Sequence, residues 1–209
     1  VDRDVALTAS EPIVWGLDVA RFGGDNSALC VRQGNTVLEI KSFASMDLMQ
    51  LCGVIKNRYD DATVMERPQE ILVDVIGLGA GVVDRLREQN LPVRGINVSE
   101  SPSSRKNYLN LRAELWFAIK EWLAQRDCRL PIDDELVSEL AAPLYKYTST
   151  GKIKIESKEE MKKRGIKSPD KADALALTMA SSAASFSGSE SVFGYNFKKP
   201  LKSRIIRVG

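Results

Sequence analysis

Four aspartates stand where a carboxylate is costly to keep. Asp18 lies between Leu17 and Val19 in the apolar run IVWGLDVA, and Asp74 lies in EILVDV. Asp173 sits in SPDKADALALT beside Ala172, Ala174 and Leu175, with Asp170 three residues before it. An ionised carboxylate in apolar surroundings is unfavourable unless it is paired or bound to a cation. Residues three apart on a helix share a face, so Asp170 and Asp173 can project together. Each aspartate alone also has a bland explanation as a turn-former, a helix cap or a partner for the positive end of a helix. Together they suggest a carboxylate cluster built from two strand ends and one helix start. Such a cluster can share two divalent ions about 4 Å apart, one activating water for in-line attack on a phosphodiester and one stabilising the leaving 3′ oxygen. Hard oxygen donors favour Mg2+ or Mn2+ over zinc. Asp25 in GGDN reads as a turn residue, with a ligand role as its alternative.

Composition narrows the chemistry further. The 209 residues contain no histidine, which removes imidazole bases, Ser-His-Asp triads and histidine-ligated zinc. Cys30, Cys52 and Cys128 show no CxxC spacing, and Cys30 and Cys52 read as small buried hydrophobes of a reducing compartment. Hydrophobic residues at 44% and charged residues at 28% fit a globular protein with a sizeable core. No apolar run approaches the roughly 20 residues of a membrane span. The start of the chain carries neither signal peptide nor initiator Met, and reads as an excised domain or a processed product. Net charge is only +2, but nine Lys or Arg against four acids crowd residues 146–171. A basic stretch beside acidic candidates suits a polyanion, although a solvated surface has the same composition. Lys152, Lys154 and Lys158 in TSTGKIKIESK, with Arg105 and Lys106 in the preceding Ser/Pro loop, are the candidate DNA-backbone contacts. GLGAG (77–81) lacks a following Lys-Ser/Thr, so it is no Walker loop and serves to turn the chain after Asp74.

The elements that must position these residues follow from periodicity. Residues 13–20, 27–32, 36–42, 70–75 and 93–98 read as strands, the second and third joined by a Gly34-Asn35 hairpin turn. Helical spacing covers 46–59, the stretch from the glycines to about Asn90, and 109–125, where Trp116, Phe117 and Trp122 read as core. Residues 99–107 (SESPSSRKN) predict a mobile loop. A short helix over 133–142 follows, then a second hairpin, 145–148 and 152–155, about Gly151. A capping box of Ser157 and Glu160 opens a charged helix, and Ser168-Pro169-Asp170 opens a last helix running to about Ala184. Five strands, the first three antiparallel and the last two separated by helices, predict a mixed α/β sheet. Residues 1–12 read as a linker remnant, 13–185 as the catalytic domain, and 186–209 as a Ser/Gly-rich, then aromatic and basic tail.

Four stretches in order, GLDVARFGGDNSAL, ILVDVIGLGAGVVDRL, NLRAELWFAI and GKIKIESKEEMKKRGIKSPDKADALALTMA, resemble the C-terminal nuclease domain of the large terminase subunit of headful-packaging tailed bacteriophages, the phage P22 type in particular. The resemblance spans roughly residues 13–184. It implies a ribonuclease H-like fold, with a mixed five-stranded sheet flanked by helices and an added β-hairpin. It implies acidic ligands at Asp18, Asp74 and Asp173 for two Mg2+ or Mn2+ ions, with Asp170 as a supporting or alternate ligand. It further implies an endonuclease that cuts concatemeric double-stranded viral DNA with little sequence preference, in the host cytoplasm at the procapsid portal. The implied partners are the portal, the small terminase subunit and an N-terminal packaging ATPase, of which this chain has no GxxxxGK[ST] motif. The tail suits either portal docking or disorder. The competing readings are a resolvase- or integrase-like nuclease of the same fold, a non-catalytic portal- and DNA-docking module, and a sugar-kinase or actin-like ATPase. The chain is too short for the two domains the last requires.

Overall fold

The computed structural model describes residues 10–20 and 26–181. Asp25, the first nine residues and the tail beyond Ser181 lie outside the described residues. Five strands form one sheet: β1 (Ile13–Asp18), β2 (Ser27–Gln33), β3 (Thr36–Phe43), β4 (Glu70–Asp74) and β5 (Val93–Ile96). Their spatial order is β3-β2-β1-β4-β5. The β1–β2 and β2–β3 pairs are antiparallel, whereas β1–β4 and β4–β5 are parallel. This is the mixed sheet that the strand pattern predicts. Gly34 adopts φ +51° in the β2–β3 turn, a conformation that favours glycine.

Helices α1 (Leu48–Asp61) and α2 (Gly79–Glu88) cover one face, where Trp15, Leu17, Ile71 and Val73 meet Leu51, Ile55, Val82 and Leu86. Helices α3 (Leu111–Ala124), α4 (Asp134–Ala141) and α6 (Asp170–Thr178) cover the other, over Ala28, Cys30, Leu72 and Ile96. Alternation along a strand sends successive side chains to opposite faces. Gly16 and Asp18 therefore share the α6 face, as do Leu72 and Asp74. A separate hairpin, β6 (Tyr145–Tyr147) with β7 (Ile153–Ile155), precedes α5 (Lys158–Lys163). Both sides of the expected capping box form at α5, between Ser157 and Glu160.

Helix α6 is buried along its whole length and seats directly on β1 and β2. Gly16 makes that approach possible: a Cβ there would sit 2.0 Å from the Ala174 carbonyl oxygen and 2.9 Å from Thr178 Cγ2. Arg32, 1% exposed, clamps the other end of α6, donating from Nε to Thr178 Oγ1 and from Nη2 to the Thr178 carbonyl, both at 2.9 Å. A cation at a helix C-terminus also complements the helix dipole. At the N-terminal end, Lys171 pairs with Asp133 (2.7 Å) and Glu135 (2.6 Å), tying α6 to α4.

Two expectations change. Residues 99–107 form a structured turn rather than a loose loop, because the buried Glu114 carboxylate accepts from the Ser103 hydroxyl and from the amides of Ser103 (2.8 Å) and Ser104 (3.2 Å). Serine and proline content signalled a loop, but not the acid that reaches it from α3. The last helix ends at Thr178 rather than near Ala184. Among the described residues no helix is long and apolar enough to cross a membrane.

The Gly16 contact is testable. Gly16→Ala forces α6 off the sheet, so unfolding stability should fall by about 1–3 kcal/mol in urea titrations. The control Gly53→Ala, where a Cβ meets nothing within 4 Å, should stabilise its helix by up to about 1 kcal/mol. Equal stability of the two variants would contradict the close contact.

Candidate metal centre

The sheet register builds the site. Gly16 lies opposite Leu72 and Leu17 opposite Val73, so the parallel strands β1 and β4 end side by side with Asp18 and Asp74 on the α6 face. Gly79 lets α2 start tightly behind this edge, since a Cβ there would sit 1.7 Å from the Asp74 carbonyl oxygen. Gly77, at φ +73°, turns the chain between them. The Asp74 carboxylate is fixed by the Ile76 amide, which donates to Oδ1 at 3.0 Å. From the other side, the first turn of α6 delivers Asp170 and Asp173, both buried.

One ammonium group gathers three of these acids. Lys158 Nζ lies 3.0 Å from Asp18 Oδ2, 3.3 Å from Asp173 Oδ2 and 3.6 Å from Asp170 Oδ1. Lys158 was expected with the DNA-contacting lysines, but the Ser157 cap turns the chain so that its side chain enters the carboxylate cluster. Two of the remaining oxygens have defined partners. Asp170 Oδ2 accepts from the Asn26 amide at 2.9 Å. Asp173 Oδ1 accepts from Trp116 Nε1 at 2.8 Å and from Arg112 Nη2 at 3.2 Å. Arg112 also donates to the Glu156 carbonyl at 2.6 Å and lies 5.7 Å from the Trp116 ring centre. Glu139 of α4 accepts from the Ala172 amide at 2.9 Å, capping the start of α6.

These surroundings divide the acids electrostatically. Burial, aided by Asp173 and Asp170, pushes the Asp18 carboxyl up to about 7 despite Lys158. Burial also raises Asp74, and it pushes Glu139 up to about 7. Asp173 is equally buried, but Arg112, Lys158 and the Trp116 N–H overcome that penalty and hold it below the usual carboxylate range. Burial opposes the Lys158 charge, yet Asp18, Asp173 and Asp170 outweigh it and hold the ammonium more firmly protonated than usual.

The donor set fits a hard divalent ion. Four carboxylates meet at one sheet edge, three of them already organised around a positive charge, with no histidine or cysteine among them. Among the described residues they form no preformed three-acid cage, because they close on the ammonium instead.

The expected DNA contacts lie nearby in chain and space. The Ile153 amide donates to Asn107 O at 2.8 Å, and the Leu109 amide donates to Ile153 O at 2.9 Å. This pairing sets the Arg105–Lys106 turn against the hairpin bearing Lys152 and Lys154. The sequence did not single out Arg112, Trp116 as a polar partner, or Glu139. The one available signal was the four-residue spacing of Arg112 and Trp116, which puts both on one helical face.

No protein-family model matches the sequence, and no curated protein matches it. Solved structures do. The nuclease domain of the large terminase subunit gp2 of bacterial virus Sf6 superposes with a TM-score of 0.71 at 23% identity, over 81% of this chain and 88% of that one. A mutant of that domain with manganese and beta-thujaplicinol gives 0.72 at 22%, with the same coverage. The large terminase nuclease of thermophilic phage G20c with bound magnesium gives 0.61 at 15%, over 80% of each chain.

Two measurements probe the charges. In the fold Asp18 keeps its proton to about pH 7, whereas the unfolded chain loses it near 3.8, so this group's contribution to stability falls as pH rises through that window. In chelator, the melting temperature of Asp18→Asn minus that of the wild type should therefore rise between about pH 4 and pH 7. A pH-independent difference would refute the shift. Lys158→Met removes the ammonium shared by Asp18, Asp170 and Asp173. Allowing for its partial exposure, it should cost about 1–3 kcal/mol at neutral pH in chelator. The mixed five-stranded sheet flanked by helices is thus the fold of the solved phage large-terminase nuclease domains.

Proposed function

We propose that this chain is a divalent-metal-dependent endonuclease that cuts double-stranded viral DNA during genome packaging. The observation that carries the reading is the meeting of Asp18, Asp170 and Asp173 on one ammonium at the sheet edge where Asp74 ends β4. Asp18, Asp74 and Asp173 are the proposed catalytic ligands, and Asp170 supports them. The solved terminase nucleases that share the fold, including those described with manganese and magnesium, add weight to it.

Two Mg2+ or Mn2+ ions bound here would supply Lewis acidity and a nucleophilic water for phosphodiester hydrolysis. The chain's own residues do the rest. Asp18 must surrender its proton to become a ligand, so binding of cations should strengthen as pH rises toward 7 and above. Asp173 is kept ionised and oriented by Arg112 and Trp116. Lys152, Lys154, Arg105 and Lys106 would hold the phosphate backbone without reading sequence. Concatemeric DNA as substrate, the portal, the small terminase subunit and a packaging ATPase as partners, and action at the procapsid in the host cytoplasm complete the proposal.

Purified protein with Mn2+ should nick and then linearise supercoiled plasmid, slowly, because an unrestrained cutter would destroy the genome being packaged. Asp74→Ala should lower cleavage by at least about a hundredfold while leaving the circular dichroism spectrum unchanged. Wild-type cleavage by that variant would remove Asp74 from the metal site.

A further inference from the structure

We propose that Tyr145 and Tyr147 form a stacking platform for unpaired bases of the DNA strand that reaches the carboxylate site. This rests on the nuclease reading above and adds a recognition surface to it. Both tyrosines lie on β6, two residues apart, so alternation puts them on one face. Tyr145 is 50% exposed and Tyr147 66%. They end a row of rings that begins in the core. Buried Tyr108 meets Phe117 at 5.6 Å, Phe117 meets Tyr145 at 5.3 Å and 90°, and Tyr145 meets Tyr147 at 6.1 Å and 80°. Edge-to-face contacts fix the orientation of the exposed rings from behind. Rigid tyrosines held in this way lose little entropy when a ligand stacks on them.

Charge favours a nucleic acid as the occupant. Lys120 Nζ lies 5.0 Å from the Phe117 ring centre and 5.7 Å from that of Tyr145, which places an ammonium beside the platform. The hairpin from Tyr145 to Ile155 carries Lys146, Lys152 and Lys154 and no acid. Lys146 and Lys154 pair across the strands and flank Glu160 at 3.2 and 3.6 Å. Alternation turns these lysines to the hairpin face opposite the tyrosines, so a strand stacked on the rings meets Lys120 directly and the hairpin lysines as a surrounding positive field. A polyanion with aromatic bases uses that field, and an uncharged apolar partner would not.

Continuity of the chain links platform to site. Tyr147 pairs with Ile153, and from Ile153 the strand runs through Glu156, whose carbonyl holds Arg112, to Lys158 among the aspartates. Five extended residues span at most about 18 Å. A strand with its scissile phosphate at the aspartates would therefore bring bases only a few nucleotides away to the tyrosines. Paired bases inside a duplex hide their faces, so the platform selects frayed, melted or single-stranded DNA next to the cut.

The test compares fluorescence anisotropy of a labelled oligo-dT with that of an abasic strand of equal length, in chelator so that neither is cut. The phosphates are common to both strands, and only the first can stack. Wild-type protein should bind the dT strand about tenfold tighter than the abasic one. Tyr147→Ala and the Tyr145→Ala/Tyr147→Ala pair should abolish that ratio while leaving abasic binding unchanged, and Tyr147→Phe should keep it. The idea is overturned if the wild type binds the two strands equally, if it binds neither, or if the alanine variants keep the preference. Plasmid cleavage with Mn2+ separates the two readings. Cutting without a dT preference rejects the platform alone, and a tyrosine-dependent preference without cutting rejects the nuclease assignment alone.

Discussion

The site depends on how closely a helix can approach a strand. Asp18 and Asp74 arrive from the sheet, and Asp170 and Asp173 from α6, so the four meet only if α6 lies flat on β1. Gly16, two residues before Asp18, leaves the space that the Ala174 carbonyl occupies. Arg32 under the C-terminal end and Lys171 with Glu139 at the N-terminal end then fix the helix along its axis. Shifting α6 by the width of one methyl group would separate strand acids from helix acids. A small residue in the strand therefore sets the dimensions of an electrostatic site.

Gathering like charges raises the second problem. Carboxylates brought together out of water repel one another, and the fold answers with cations of two kinds. Arg112 is braced by the Glu156 carbonyl and the Trp116 ring, and it belongs to Asp173. Lys158 is shared, touching three acids at once from a short helix that follows the hairpin. Asp173 stays ionised between the two, while Asp18, with only the shared ammonium, retains its proton toward neutrality. The site is thus polarised into one acid held in its charged form by its partners and one whose charge responds to pH toward neutrality.

Much of this was legible in residue patterns. The strands, their antiparallel and helix-separated order, the Ser157–Glu160 capping box and the four aspartates all follow from local rules of periodicity and capping. Lys158 was legible only as a basic residue. Its neighbours in sequence are Ser157, Glu159 and Glu160, which look like a solvated helix start, and nothing local indicates that its side chain points inward. Arg112, Trp116 and Glu139 were missed for the same reason. Each earns its role through a partner 33 to 61 residues away. The turn at 99–107 repeats the pattern, since its order comes from Glu114 on the following helix.

What the sequence by itself determined is the set of acids, the absence of any histidine to share their work, and the alternation that commits Asp18 and Asp74 to definite faces of their strands. Those properties are local, carried by residue type and by a period of two or 3.6. The tertiary structure alone decided which faces meet, which cation sits among the acids, and how each carboxyl titrates. Those depend on distances of 3–4 Å between residues as much as 140 positions apart, and only packing sets such distances.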